Sequence, residues 1–559
     1  MPDKRSADSL PDARVLNAQH AVVGLRRRDL LSTVRTLAMQ GVRQPWHSAR
    51  HALALGGQMG RILLGDKLHD VSPKDARFKD PTWQFNPFYS RSLQAYLAWQ
   101  KQLEQWIDES ALSTEERARA RFVSNLLGDA LSPSNSLLNP LAVKELFNSG
   151  GSSLFRGLGH LFEDLLNNDA MPSQVSKHAF EVGRNLACTP GAVVYRNEQL
   201  ELIQYKPMSE KQYAKPLLIV PPQINKYYVF DLSPEKSFVQ YALKNGLRVF
   251  IVSWRNPDVR HREWNMSTYV EALEQALQVC QLISGSKSVN LLGACAGGLT
   301  MAALQGYLQH QKQLRRIGCA TYLVSLLDSH IDGPAMLFAD EKTLESAKRR
   351  SYRQGVLDGR DMAKVFAWMR PNDLVWNYWI NNYLLGKQPP AFDILYWNND
   401  NTRLPAGLHG DLIDFFKHNP LLRTGGLEIL GAPIDLRKVS VDSFSVAGIN
   451  DHITPWDAVY RSSLLLGGKR QFVLSNAGHI QSILNPPGNP KSNYYSSDKL
   501  ASDPRAWRHD AQAVEGSWWP QWLEWIQQRS GTQRESQMTL GSADYPPLDD
   551  APGTYVRVR

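Results

Sequence analysis

An α/β architecture, with a mostly parallel, doubly wound sheet behind a helical amino-terminal domain, is the fold the sequence predicts. Three observations predict it. The first 185 residues carry helical periodicity with no strand run between; short apolar runs then alternate with helical stretches; and one long insertion interrupts that alternation late in the chain. A length of 559 residues suits several structural units around at least one large core. A composition of 43% hydrophobic and 21% charged residues is that of a folded chain.

Residues 1–185 are expected to form the helical domain. Leu93, Tyr96, Leu97, Leu103 and Trp106 recur at helical spacing, and Asn86-Pro87 and Ser132-Pro133 mark turns. After Thr189-Pro190-Gly191 the period changes. Val193-Val194-Tyr195, the turn Arg196-Asn197 and Leu200 to Tyr205 read as a hairpin leading into a sheet. Strands follow at Leu217–Val220, Val249–Ser253, Val289–Leu292, Tyr322–Leu326, Phe444–Ala447 and Phe472–Leu474, and their apolar runs suit a parallel sheet buried on both faces. Between the fourth and fifth, at about 328–430, lies an insertion far longer than a βα connection needs. Rich in aromatics such as Trp368, Trp376, Tyr378, Trp379, Tyr383, Tyr396 and Trp397, it reads as a cap subdomain over an active site. Residues 186–559 would form one catalytic domain carrying that cap. Near its end, Ser517 to Ile526 reads as a core-packing helix in which Pro520 suits the first turn, the other reading being exposed tryptophans that meet an apolar surface, and the segment after about 530 reads as an extended tail.

A net charge of +9 admits nucleic acid, but the basic residues are scattered and no nucleic-acid fold signature accompanies them, so no such partner is expected. The densest basic cluster, Arg26-Arg27-Arg28, precedes an amphipathic stretch with Leu30, Val34 and Leu37 on one face. A solvated helix face is the simpler reading; attraction for a phosphate-bearing substrate or an anionic surface is the other. The four cysteines (Cys188, Cys280, Cys295, Cys319) show no metal-type pairing, so no disulfide framework, metal or other cofactor is expected, and the thiols read as reduced, as in cytosol. The start, Met1 to Asp8, has no apolar run after its charges, and no later stretch approaches the ~18 apolar residues that span a bilayer. The chain reads as neither secreted nor membrane-spanning.

The strand at Val289–Leu292 runs into Gly293-Ala294-Cys295-Ala296-Gly297-Gly298 and then a helical stretch. That is the strand–nucleophile–helix context of the α/β-hydrolase elbow, with Cys in place of Ser and only Gly or Ala around it, as a sharp turn between packed elements requires. In this fold the acid and then the histidine follow the nucleophile. Asp451 lies on the loop after Phe444–Ala447, and His479 on the loop after Phe472–Leu474. Cys295, Asp451 and His479 are therefore the candidate triad. His452 is a rival or supporting base, more simply read as positioning its loop. For an oxyanion hole the first backbone N–H would come from Ala296. The second should come from the loop after Leu217–Val220, where Pro221 and Pro222 cannot donate; Ile224 is the choice and Asn225 the runner-up. Ser325 and Gln481, polar residues on apolar segments near the nucleophile and the histidine, are candidates to shape an acyl pocket, against a reading in which they only hydrogen-bond nearby backbone.

These motifs carry a specific resemblance. V-P-P-Q-I-N-K-Y-Y at Val220–Tyr228, S-W-R-N-P at Ser253–Pro257, G-A-C-A-G-G at Gly293–Gly298, N-D-H-I-T-P-W at Asn450–Trp456 and A-G-H-I-Q-S at Ala477–Ser482 resemble poly(3-hydroxyalkanoate) synthases. N-P-F-Y at Asn86–Tyr89 and S-P-S-N-S-L-L-N-P at Ser132–Pro140 extend the likeness into the helical part. Alanine on both sides of Cys295 resembles the single-subunit synthases that prefer medium-chain-length monomers. The resemblance implies an acyltransferase that joins (R)-3-hydroxyacyl-CoA thioesters into polyester and releases CoA, through an acyl group held on Cys295. It also implies a homodimer in the cytoplasm, at the surface of polyester granules. Two other functions use the same residues differently: a Cys-dependent α/β-hydrolase such as a thioesterase, with water as acceptor, and a non-catalytic granule-coat protein with a relic core.

Overall fold

The computed structural model describes residues 27–72, 75–176, 178–330, 341–369 and 371–559. Met1 to Asp8, Arg26 of the basic cluster and residues 331–340 of the insertion lie outside the described residues.

Helices fill the amino-terminal part: Arg27–Arg43, Pro45–Leu64, Pro87–Glu109, Thr114–Ala130, Pro140–Asn148 and Ser152–Asn167. Their starts follow from local chemistry. Asn86 accepts from the N–H groups of Phe88 and Tyr89 with Pro87 in the first turn, and Ser113 and Glu116 form a reciprocal capping box. Leu93 and Tyr96 pack with Phe78 and Trp83, while Ile107, Leu112 and Ala120 form a second small core.

One large sheet organises the rest. Its strands in chain order are β1 (Gly191–Arg196), β2 (Leu200–Tyr205), β3 (Leu217–Val220), β4 (Val249–Trp254), β5 (Val289–Ala294), β6 (Ile317–Leu323), β7 (Ser443–Gly448), β8 (Arg470–Ser475), β9 (Asn493–Ser496), β10 (Gln512–Glu515) and β11 (Asp549–Asp550). Across the sheet they run β10-β9-β8-β7-β6-β5-β3-β4-β2-β1-β11. The central block β4-β3-β5-β6-β7-β8 is parallel throughout, and antiparallel strands flank it on both sides. Alternation divides the core in two: Leu218 and Val220 face the helices Met266–Ser284 and Ala296–His310, whereas Leu217 and Ile219 face Trp518, Trp519 and Trp522 on the other side. The tryptophan segment is therefore core, and its helix runs Trp519–Gln527.

Strand β6 departs most from its expected span. β6 begins at Ile317 and ends at Leu323, so Ser325 and Leu326 lie beyond it. Its first half, Ile317-Gly318-Cys319-Ala320, has weak strand propensity, but pairing between β5 and β7 decides the matter. A side chain at Gly318 would come within 2.3 Å of Asn290 Oδ1, which explains glycine inside a strand.

Among the described residues, the insertion carries the helices Glu341–Gln354, Gly359–Met369, Asp393–Asn399 and Ala406–His418. Several of its aromatics turn toward the amino-terminal helices. The Trp379 indole N–H donates to the Asn135 carbonyl at 3.0 Å, and the Tyr383 hydroxyl to Asp164 at 2.7 Å. The chain after about 530 runs extended across the α/β domain. It is held where Gln533–Glu535 pairs with Lys211–Tyr213, where β11 pairs with β1, and where buried Glu201 accepts from Thr554 and Tyr555.

Candidate active site

Strand β5 delivers Cys295 to the start of the helix Ala296–His310 with φ of 50° and ψ of −123°. A non-glycine residue rarely holds that conformation, and here the neighbours over-determine it. The Cys295 N–H donates to the Leu323 carbonyl at 2.9 Å. The surrounding glycines have no room to grow: a Cβ on Gly297 would sit 2.3 Å from the Val220 carbonyl oxygen, and one on Gly293 2.7 Å from Gly298 Cα.

The loops after β7 and β8 bring Asp451 and His479 together. His479 Nδ1 lies 2.7 Å from Asp451 Oδ2, and both side chains are buried. The other carboxylate oxygen accepts from the N–H groups of Ile453 and Thr454 at 2.8 and 2.9 Å, and the Thr454 hydroxyl donates to Oδ2 at 2.7 Å. Burial alone would push the His479 pKa down. The adjacent Asp451 carboxylate and Cys295 thiol reverse this and lift it to about 10. Burial pushes Asp451 the opposite way, yet His479 and the Thr454 donors hold its carboxyl below the ordinary range. Cys295 meets the same imidazole that Asp451 engages, so the three candidate side chains form one connected line.

Cys295 and His479 border a cavity of about 330 Å³, which Ile224, Asn225, Ala296, His452 and Gln481 also line, with Asp451 buried behind the histidine. The insertion supplies Met362, Leu374, Phe392, Ile394, Leu395 and Trp397, so most of the wall is apolar. Ser325 lies elsewhere. It sits beneath the elbow, its hydroxyl 3.0 Å from the Leu323 carbonyl, and it fills the space against Gly298.

Sequence reasoning missed the residues that hold the loops, because each acts across a long stretch of chain. The loop carrying Ile224 and Asn225 is fastened by buried Lys226, whose ammonium donates to Asp400 at 2.8 Å and to the Val556 carbonyl at 2.7 Å. Burial lowers the Lys226 pKa, and Asp400 opposes that. Tyr228 donates to the same aspartate at 2.9 Å, the Trp397 indole to the Lys226 carbonyl at 2.7 Å, and Thr402 to the Gln223 carbonyl at 2.7 Å. On the histidine side, the Trp518 and Trp519 indoles donate to the carbonyls of Ser482 and Ile483, in the short helix that His479 begins. The apolar run around these tryptophans was the available signal, but it announced only core.

Comparisons with known proteins point to one family. The family described as poly-beta-hydroxybutyrate polymerase (PhaC) N-terminus matches residues 74–242, and the α/β hydrolase fold matches residues 216–486. The chain is 68% identical to poly(3-hydroxyalkanoate) polymerase 2 of Ectopseudomonas oleovorans over the whole of both proteins. It is 54% identical to poly(3-hydroxyalkanoate) polymerase 1 of the same organism, over 96% of each chain. It is 36% identical to the poly(3-hydroxyalkanoate) polymerase subunit PhaC of Cupriavidus necator, over 97% of this chain and 92% of that one. With a Cys-centred elbow in an α/β-hydrolase sheet and full-length identity of this order, the chain belongs to the poly(3-hydroxyalkanoate) polymerase family.

Proposed function

We propose that the chain polymerises (R)-3-hydroxyacyl-CoA thioesters into polyester, releasing CoA, through an acyl group carried on Cys295. The observation that carries this reading is the line Cys295–His479–Asp451 beside an apolar cavity, in a chain of the polymerase family. His479 takes the Cys295 proton, and Asp451 stabilises the resulting imidazolium. The thiolate attacks the acyl carbonyl and the bond to CoA sulfur breaks. The imidazolium returns its proton to the departing thiolate. N–H groups of Ala296 and Ile224, with Asn225 as alternative to the latter, stabilise the tetrahedral oxyanion. In elongation neutral His479 removes the proton of a 3-hydroxyl, whose oxygen attacks the thioester-held acyl group; an ester forms and Cys295 is released. A thioester keeps the reactivity of the CoA ester, whereas acylation of a serine would leave little driving force for transfer to another alcohol.

The insertion acts in this reading as the cap, and the chain works as a homodimer on the granule surface in the cytoplasm. Exposed apolar side chains on the amino-terminal helices, among them Phe155, Phe162 and Leu166, support contact with an apolar polyester. Incubation with 3-hydroxyacyl-CoA esters, following free CoA and insoluble polyester, tests the function. CoA release with free hydroxy acid and no polymer would identify a thioesterase, and no CoA release a coat protein. In the same incubation, co-sedimentation of protein with product and light scattering of the free protein report granule contact and dimer.

The apolar wall and small residues around Cys295 favour medium-chain monomers. Gln481→Met enlarges apolar contact inside the cavity, whereas Ser325 does not line it. Gln481→Met is expected to shift the ratio of four- to ten-carbon monomers incorporated from a mixture by roughly 10- to 200-fold while CoA release continues. An unchanged ratio removes Gln481 from monomer selection.

A further inference from the structure

The helical domain holds a cluster that the proposed chemistry leaves unused. His47 and His51 stand one turn apart on the helix Pro45–Leu64, which places both rings on one face. Glu109 ends the neighbouring helix Pro87–Glu109 beside them. One donor atom from each residue, two imidazole nitrogens and a carboxylate oxygen, lies within 4.8 Å of the other two. His51 is buried, His47 half-buried and Glu109 exposed, so the cluster opens to solvent on one side.

Both rings are fixed from behind. His47 Nε2 lies 3.2 Å from the Trp106 carbonyl, which can only accept, so Nε2 carries the proton and Nδ1 keeps its lone pair. The Gln102 side-chain amide N–H donates to His51 Nδ1, and His51 Nε2 faces Glu109 Oε2 at 3.3 Å. Metal-bound histidines are oriented as His47 is, by an acceptor on the nitrogen away from the ion. A cation already occupies the spot. The Arg50 guanidinium rests on Glu109 Oε2 and comes within 3.4 Å of His51 Nε2.

We propose that His47, His51 and Glu109 bind a divalent transition-metal ion of the zinc class, stapling the two helices together, with Arg50 as the competing cation. Two imidazoles and a carboxylate suit zinc, held at about 2.0–2.2 Å with a further position for water. Arg50 is two-thirds exposed and can move into solvent. The site shares no residue with the cavity beside Cys295.

The test uses the full chain carrying Cys295→Ala, so that the active-site thiol cannot take the ion. Chelator-treated protein is titrated with zinc chloride by calorimetry, and its thermal unfolding is followed with and without zinc. One ion per chain and a raised unfolding temperature are expected. His47→Ala and Glu109→Gln should each weaken binding by ~100-fold or more and abolish the thermal shift. Arg50→Met should tighten binding, a change that a cluster serving only helix packing would not produce. Absence of saturable zinc binding in the parent, or binding unaltered in both the His47 and Glu109 variants, overturns the proposal.

Discussion

Cys295→Ala is expected to abolish CoA release from 3-hydroxyacyl-CoA and to leave no polymer, a loss of ~10⁴-fold or more, because the attacking atom of a coupled set is removed. The size follows from the site. Cys295 occupies the strained position at which strand, helix and imidazole converge, and neither Ala294 nor Ala296 offers a substitute. Alanine accepts the same backbone with no new bulk, so the variant is expected to fold and to keep its unfolding temperature within a few degrees. Loss of activity with the fold retained is the diagnostic result. His479→Ala should fall by a comparable factor, because the proton then has no acceptor.

Asp451→Asn is expected to separate the two half-reactions. A thiol ionises more readily than an alcohol, so the first acylation should persist in part, whereas elongation, which needs a 3-hydroxyl deprotonated, should drop by as much as ~10⁴-fold. Rapid-quench measurement of the first CoA released, set against steady-state turnover, reads both. Equal loss in the two phases would contradict the division of roles.

The same variant has a pH signature in stability. Folding raises His479 from an ordinary ~6.5 to about 10, so its contribution is fully present below ~6.5 and is lost as pH rises through about 10. Asp451 is held below its ordinary range, so its contribution is present above ~4 and is lost as pH falls through the folded value. The unfolding temperature of Asp451→Asn should therefore trail the parent most near pH 6, and the gap should narrow above about pH 10.

Much of the site was legible because its signals are local. A strand run, five Gly or Ala residues and a helical run lie within a dozen positions around Cys295, and Asp451 and His479 each follow a short apolar strand directly. What was not legible depends on partners distant in sequence. Lys226 reads as an ordinary surface lysine until Asp400 and the Val556 carbonyl meet it in the core, and Thr454 reads as loop until the Asp451 side chain folds back onto it. Strands β9 and β10 escaped notice because Asn493–Ser496 and Gln512–Glu515 are short and partly polar, and β10, at the sheet edge, has one partner and little burial. Of the two readings of Ser325, pocket wall or partner of nearby backbone, its surroundings favour the second, because β6 stops at Leu323 and Val324 then turns with φ of 45°, which leaves the hydroxyl under the elbow.

The central claim is that the acyl group is carried by Cys295. A 3-hydroxyacyl-CoA analogue lacking its 3-hydroxyl can acylate but cannot extend the chain, so the intermediate should accumulate. After brief incubation, acid quench and proteolysis, mass spectrometry should find one acyl group per active chain on the peptide containing Cys295, and none in Cys295→Ala. Acylation at another residue, or acyl transfer continuing in Cys295→Ala, would contradict the account.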